Sequence, residues 1–159
     1  MNYTAAVLTI SDLGSQGLRK DTSGPAVCDM LKETGFEVIY TNIIPDERAE
    51  ISAELKNCAD EKEADLIITT GGTGLSPRDV TPEATLDVIE REIRAIPMAM
   101  LFESLKVTPN AMLSRAVAGT RGKTLIINLP GSEKGARENL AAVIGALEHA
   151  LHMIAGEGH

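Results

Sequence analysis

Tryptophan is absent from this chain of 159 residues, and two tyrosines with two phenylalanines bring the aromatic content to only 3%. So few flat rings exclude a base-stacking platform of the kind that single-stranded nucleic-acid binders use. Basic residues are also in deficit: 15 Lys and Arg stand against 23 Asp and Glu, for a formal charge of −8. A surface that grips nucleic acid through its phosphates needs the opposite balance, which leaves room only for a local basic pocket. Long apolar runs are missing too; none approaches the ~18 residues of a membrane helix. The opening "MNYTAAVLTI" lacks the basic-then-apolar pattern of a signal peptide. Cysteine is scarce, and Cys28 and Cys58 lie in helix-patterned stretches without C-x-x-C spacing. Free buried thiols and a cytoplasmic location are expected, with no membrane and no nucleic-acid partner.

What is present suits a folded core. Hydrophobic residues make up 43% and charged residues 24% of a chain long enough for one domain, expected to span 1–159. "YTAAVLTI", "FEVIYTNII" and "ADLIITT" read as short apolar strands. Between the first two, "DTSGPAVCDMLKETG" carries helix signals: Ser23 or Asp21 to cap, Pro25 in the first turn and Gly35 to end it. "PDERAEISAELKNCA" predicts a second helix with Asp46 as cap, and "TPEATLDVIERE" a third with Thr81 as cap and Pro82 at its first position. "MAMLFESLK" is helical by pattern, and "AMLSRAVAGTRGKTLIINLPG" reads as two strands around a glycine turn. Leu140, Val143, Ile144, Leu147, Leu151 and Ile154 then recur at helical spacing before a "GEGH" end expected to fray. Alternating strands and helices predict an α/β domain with a mostly parallel sheet.

Chemistry concentrates in "TTGGTGLSPRDVTPEAT", where Gly71, Gly72 and Gly74 fall between a strand and a helix. In an open α/β sheet that is where ligands bind. Glycines let backbone N–H groups close on an anion, and a helix N-terminus adds partial positive charge. The P-loop pattern fails because Leu75 follows Gly74 and the loop has no lysine. The dinucleotide pattern fails at Pro77, so the loop is a glycine turn of another kind. Asp79, beside it, would repel a phosphate unless a cation such as Mg²⁺ intervened. Asp46 in "IIPDE" falls at the same sheet edge and is a possible second carboxylate, although on residues alone its capping reading comes first. "NLPGSEKGARENL" offers a second anion site, with Ser132 capping a helix flanked by Lys134 and Arg137; a plain capped helix fits it equally. Ser11, after the first strand, is expected to face the same crevice. His149 and His152 lie three apart on the last helix, but no third metal ligand accompanies them.

Together with "SDLGSQGLRKDTSGP", "IIPDE" and "SLKVTPNAMLSRAVAGTRGKTLIINLPGS", the glycine-loop block resembles the molybdopterin adenylyltransferase family of the MogA/MoaB type. The likeness extends to the G domains of gephyrin and covers nearly the whole chain. It implies a three-layer α/β/α fold, a homotrimer, and transfer of AMP from Mg-ATP to the terminal phosphate of molybdopterin with release of pyrophosphate. A molybdate-inserting enzyme would use the product. The resemblance implies that Gly71, Gly72, Thr73 and Gly74 hold phosphate or pterin groups, and that Pro130, Gly131 and Ser132 contact the pterin phosphate. It implies Mg²⁺ handling and the transfer step for Asp46 and Asp79, which displaces the cap reading of Asp46. The chain departs from the pattern at Arg94-Ala95, Glu133 and Leu13. A non-catalytic molybdopterin-binding or scaffold module of the same fold is the alternative, and the carboxylate pair argues against it.

Overall fold

The computed structural model describes residues 2–157. Gly158 and His159, half of the end expected to fray, lie outside them. Six strands form one sheet: β1 (Thr4–Ile10), β2 (Glu37–Ile44), β3 (Leu66–Thr70), β4 (Arg91–Glu92), β5 (Ala118–Arg121) and β6 (Thr124–Leu129). Their spatial order is β2-β1-β3-β6-β5-β4. The β2-β1-β3-β6 block is parallel, and β5 runs antiparallel to its neighbours β6 and β4.

Side-chain alternation on the parallel strands fills two cores. Val7, Ile68 and Ile127 face one side, where they meet Val27 and Leu31 of α2 (Ser23–Glu33), Met100 of α5 (Ala95–Leu105) and Leu140, Val143 and Leu147 of α6 (Glu133–Ile154). Leu8, Ile67 and Ile126 face the other, against Ile51 and Leu55 of α3 (Arg48–Lys56) and Ala84 of α4 (Thr81–Leu86). A sheet with helices on both faces is the expected three-layer α/β/α arrangement. Cys58 sits in a π-helical turn, Asn57–Glu61, that extends α3. Burial, with Glu54 next in effect, pushes its thiol up to about 12, so it stays protonated. Cys28 is likewise buried and free.

Three expectations are corrected. The helix over "TPEATLDVIERE" stops at Leu86, and Arg91–Glu92 pairs with β5 instead. The β-branched pair Val88-Ile89 leaves the helix, and Glu90 N–H reaches Thr120 C=O at 2.7 Å. Helix α4 begins at Thr81 itself, after Val80, so Thr81 is not its cap and Pro82 is the second residue. The first of the two late strands begins only at Ala118, after a 3₁₀ turn over Pro109–Leu113; Gly122, at φ 55, makes the expected turn into β6.

One buried node locks these pieces together. Asn128 of β6 is fully buried and donates its amide to Thr69 Oγ1 and Thr85 Oγ1, both at 3.0 Å. Its Oδ1 accepts from Val117 N at 3.0 Å. A single amide thus joins β3, β6, α4 and the approach to β5, with its polar capacity satisfied.

Candidate active site

β1 continues to β2 on one side, and the chain then crosses back to place β3 on the other side of β1. Loops leaving the carboxyl ends of β1 and β3 therefore diverge and leave a crevice, the place where such sheets take ligands. A cleft of about 440 Å³ opens there, with Ser11, Asp46, Gly71, Gly72, Asp79, Gly131 and Ser132 among its lining. A neighbouring, mostly apolar pocket of about 420 Å³ is lined by Thr73, Gly74, Pro130 and Ser132. Every site residue expected from sequence thus lines one of two adjoining pockets, and Ser132 lines both.

The glycines are required by close approach. Gly71 (φ 97) and Gly72 (φ 68) are left-handed, and a side chain on Gly72 would collide with the Thr81 hydroxyl. A Cβ on Gly131 would lie 3.3 Å from Gly71 Cα, so the two glycine turns, distant in sequence, press backbone to backbone. Thr81 Oγ1 donates to Gly71 C=O at 2.9 Å, which ties the loop to α4 in place of capping that helix. Arg115, which sequence reasoning passed over, clamps the far side of the loop. It donates to Gly74 C=O (2.8 Å), Asp79 C=O (2.8 Å) and Glu83 Oε2 (2.6 Å).

Asp46 does not cap α3; that position belongs to Glu47. Instead Asp46 Oδ2 accepts from Asp12 N, and Asp46 N donates to Asp12 Oδ1, both at 2.9 Å. The exchange joins the loop after β1 to the loop after β2. Arg78, beside Asp79 in sequence, turns away to Asp12 and Glu47. Its hydrogen bonds hold the Asp12 carboxyl below its ordinary value. Burial, together with the charges of Asp12 and Asp79, pushes Asp46 above its ordinary value, and the bond from Asp12 N offsets part of that. Asp79 Oδ2 accepts from Ser76 N at 3.1 Å and lies 2.9 Å from where a Gly74 Cβ would be. Asp46 Oδ1 lies 3.0 Å from the corresponding point on Gly72. The two carboxylates therefore flank the glycine loop.

That arrangement fits Mg²⁺, which uses one or two carboxylates plus substrate phosphates in place of a full protein cage. Among the described residues no group of three or more His, Cys, Asp or Glu is placed to hold a metal alone, and His149 and His152 form no such group. Ser11 Oγ accepts from Gly14 N at 2.9 Å, which leaves its O–H able to donate to a ligand. Ser132 caps α6 as expected, accepting from Gly135 N at 3.0 Å.

Thr70 stands at the same edge of the sheet. It is among the residues that line the cleft, and its buried hydroxyl has no hydrogen-bond partner among the described residues. An orphaned buried hydroxyl costs about 1–3 kcal/mol unless something else satisfies it. Thr70→Val should therefore leave the melting temperature unchanged or higher, yet weaken substrate binding about tenfold through one lost bond to a charged group. Thermal scans beside a substrate titration check this; a destabilised variant with normal binding would make the hydroxyl structural. No helix among the described residues is long and apolar enough to cross a membrane.

A family described as "Probable molybdopterin binding domain" matches residues 6–149. The molybdenum cofactor synthesis protein cinnamon of Drosophila melanogaster is 46% identical over 96% of the chain, which spans only 26% of that longer protein. The molybdopterin adenylyltransferase of Helicobacter pylori is 43% identical, over 94% of this chain and 86% of its own length. The crystal structure of the molybdopterin biosynthesis enzyme MoaB from Thermus thermophilus superposes with a TM-score of 0.92 at 48% identity, covering 97% of both chains.

Proposed function

Because the chain belongs to the molybdopterin-binding domain family, we propose that it is a molybdopterin adenylyltransferase, moving AMP from ATP to the molybdopterin phosphate. The observation that carries this reading is the carboxylate pair: Asp46 and Asp79 flank a glycine loop that a binding module would not need to arm. In the proposed step an oxygen of the molybdopterin phosphate attacks the α-phosphorus of ATP. The bond from that phosphorus to the bridging oxygen breaks, and its electron pair leaves on pyrophosphate. The attacking phosphate is already ionised at neutral pH, so no protein base is needed. Catalysis then consists of positioning two polyanions and countering their charge.

Each part of the site has a role in that task. The Gly71–Gly74 backbone and the Ser11, Thr70 and Ser132 hydroxyls orient phosphate oxygens. Asp46 and Asp79 would hold Mg²⁺, which supplies charge neutralisation at the phosphates. Exposed Met98, Phe102, Leu105, Val107, Met112 and Leu113, on α5 and the turn after it, support burial of that apolar surface between copies of the chain, in the proposed assembly a homotrimer. A cytoplasmic setting and a molybdate-inserting enzyme as consumer of the product complete the proposal.

Purified protein mixed with molybdopterin and Mg-ATP should yield adenylylated molybdopterin by mass, and none without Mg²⁺. Tight binding of molybdopterin with no ATP consumed would instead favour a carrier or scaffold.

A further inference from the structure

Among the described residues four basic side chains stand at the glycine loop or in the cleft beside it, and two of them are already committed. Arg78 is held by Asp12 and Glu47, and Arg115 by Glu83 and two loop carbonyls. The other two, Arg19 and Lys20, line the cleft and form no ion pair among the described residues. Both are exposed, at the cleft's mouth, and no other Lys or Arg among the described residues contributes to its lining.

Their placement is fixed by the loop that carries them. On one side it is anchored to α1 (Asp12–Ser15) by Leu18 N to Leu13 O (2.9 Å) and Gly17 N to Gly14 O (3.1 Å). On the other side Asp21 accepts from Thr9 Oγ1 at 2.7 Å and from Gly24 N at 3.0 Å. Asp21 is thus occupied with pinning the chain. It holds Arg19 and Lys20 over the cleft without neutralising them through an ion pair.

The transfer reading makes a specific demand at this point. As the bond to the α-phosphorus breaks, negative charge develops on a leaving group that already carries two phosphates. Asp46 and Asp79 in the same cleft are themselves negative, so the leaving group needs cations of its own. Two adjacent, unpaired cations match two linked phosphates, and their exposure at the mouth lies where a product must escape. We propose that Arg19 and Lys20 hold the β- and γ-phosphates of ATP and the pyrophosphate they become. This assignment rests on the adenylyltransferase reading.

Calorimetric titration of the whole protein with inorganic pyrophosphate and Mg²⁺, and separately with molybdopterin, provides the test. In the R19A/K20A variant the pyrophosphate dissociation constant should rise about tenfold or more, with molybdopterin affinity held within about twofold, as expected for lost hydrogen bonds to charged groups. R19K/K20R should retain most of the pyrophosphate affinity. The assignment is overturned by unchanged pyrophosphate affinity, by a loss confined to molybdopterin, or by a wild type that binds no pyrophosphate. A wild type that binds pyrophosphate through this pair yet never adenylylates molybdopterin would refute the transfer reading alone.

Discussion

Asp79→Asn is expected to cut adenylyl transfer about 10²-fold or more while leaving the fold intact, a loss typical of removing one charge-stabilising group. The side chain lies half-buried against Gly74, where Oδ2 accepts from Ser76 N. An asparagine oxygen can take over that bond, and Arg115 grips the backbone carbonyl of residue 79, which the substitution leaves alone. The loop therefore keeps its shape, and the negative charge is what disappears. Single-turnover rates with saturating molybdopterin and Mg-ATP measure the effect. An unchanged rate would remove Asp79 from the mechanism.

Asp46→Asn should give a similar loss of transfer and, without Mg²⁺, a more stable protein. Burial raises this carboxyl in the native state, so the folded protein binds its proton more readily than the unfolded chain does. Between the ordinary and the raised value the native state holds more protons, and stability falls as pH rises through that window. Above the window the cost of the buried charge is fully present; below the ordinary carboxylate value it is gone. The variant should accordingly melt higher than wild type near neutral pH, by about 2–4 °C for each kcal/mol relieved. The gap should close as the pH drops below the carboxylate range. Mg²⁺ should raise the wild-type midpoint and leave the variant's nearly unmoved. Melting curves with and without chelator, taken at several pH values, decide it. A variant less stable than wild type at neutral pH would overturn the burial cost assigned to the Asp46 carboxylate.

Much of the site was legible because its chemistry is local. Glycines at 71 and 72 mark a turn between strand and helix, and Ser132 before a helical run announces a cap; the structure has both, with the two glycines left-handed. What pairs across the fold was not legible. Asp46 looks like a cap until Asp12 arrives from another loop to exchange hydrogen bonds with it. Arg78 stands beside Asp79 in the sequence, and nothing local shows that Asp12 and Glu47 hold it. Thr70 reads as one more strand residue; only the fold reveals that its hydroxyl is buried and unpaired. The start signals at Thr81 and Pro82 say where a helix begins but not where it stops, and nothing local registers that β5 offers residues 91 and 92 a strand to pair with. For Arg19 and Lys20 a signal was present, two adjacent cations in a loop after the first strand, but nothing local aims them at the cleft.

The Asn128 node has a consequence for how the chain reaches this structure. Parallel strands that are apolar on both faces, like β3 and β6, discriminate poorly between pairing registers, since a slip of one residue still buries apolar side chains. Asn128 changes that balance. A β6 strand slipped against β3 would strand its amide, with the Thr69 hydroxyl, away from their partners in the dry interior, at about 1–3 kcal/mol for each orphaned group. The node therefore acts as a proofreader of misaligned sheets. Gly71 follows directly from β3, with its N–H on Leu129 C=O of β6, so the loop that carries the chemistry is assembled only on sheets that pass this inspection.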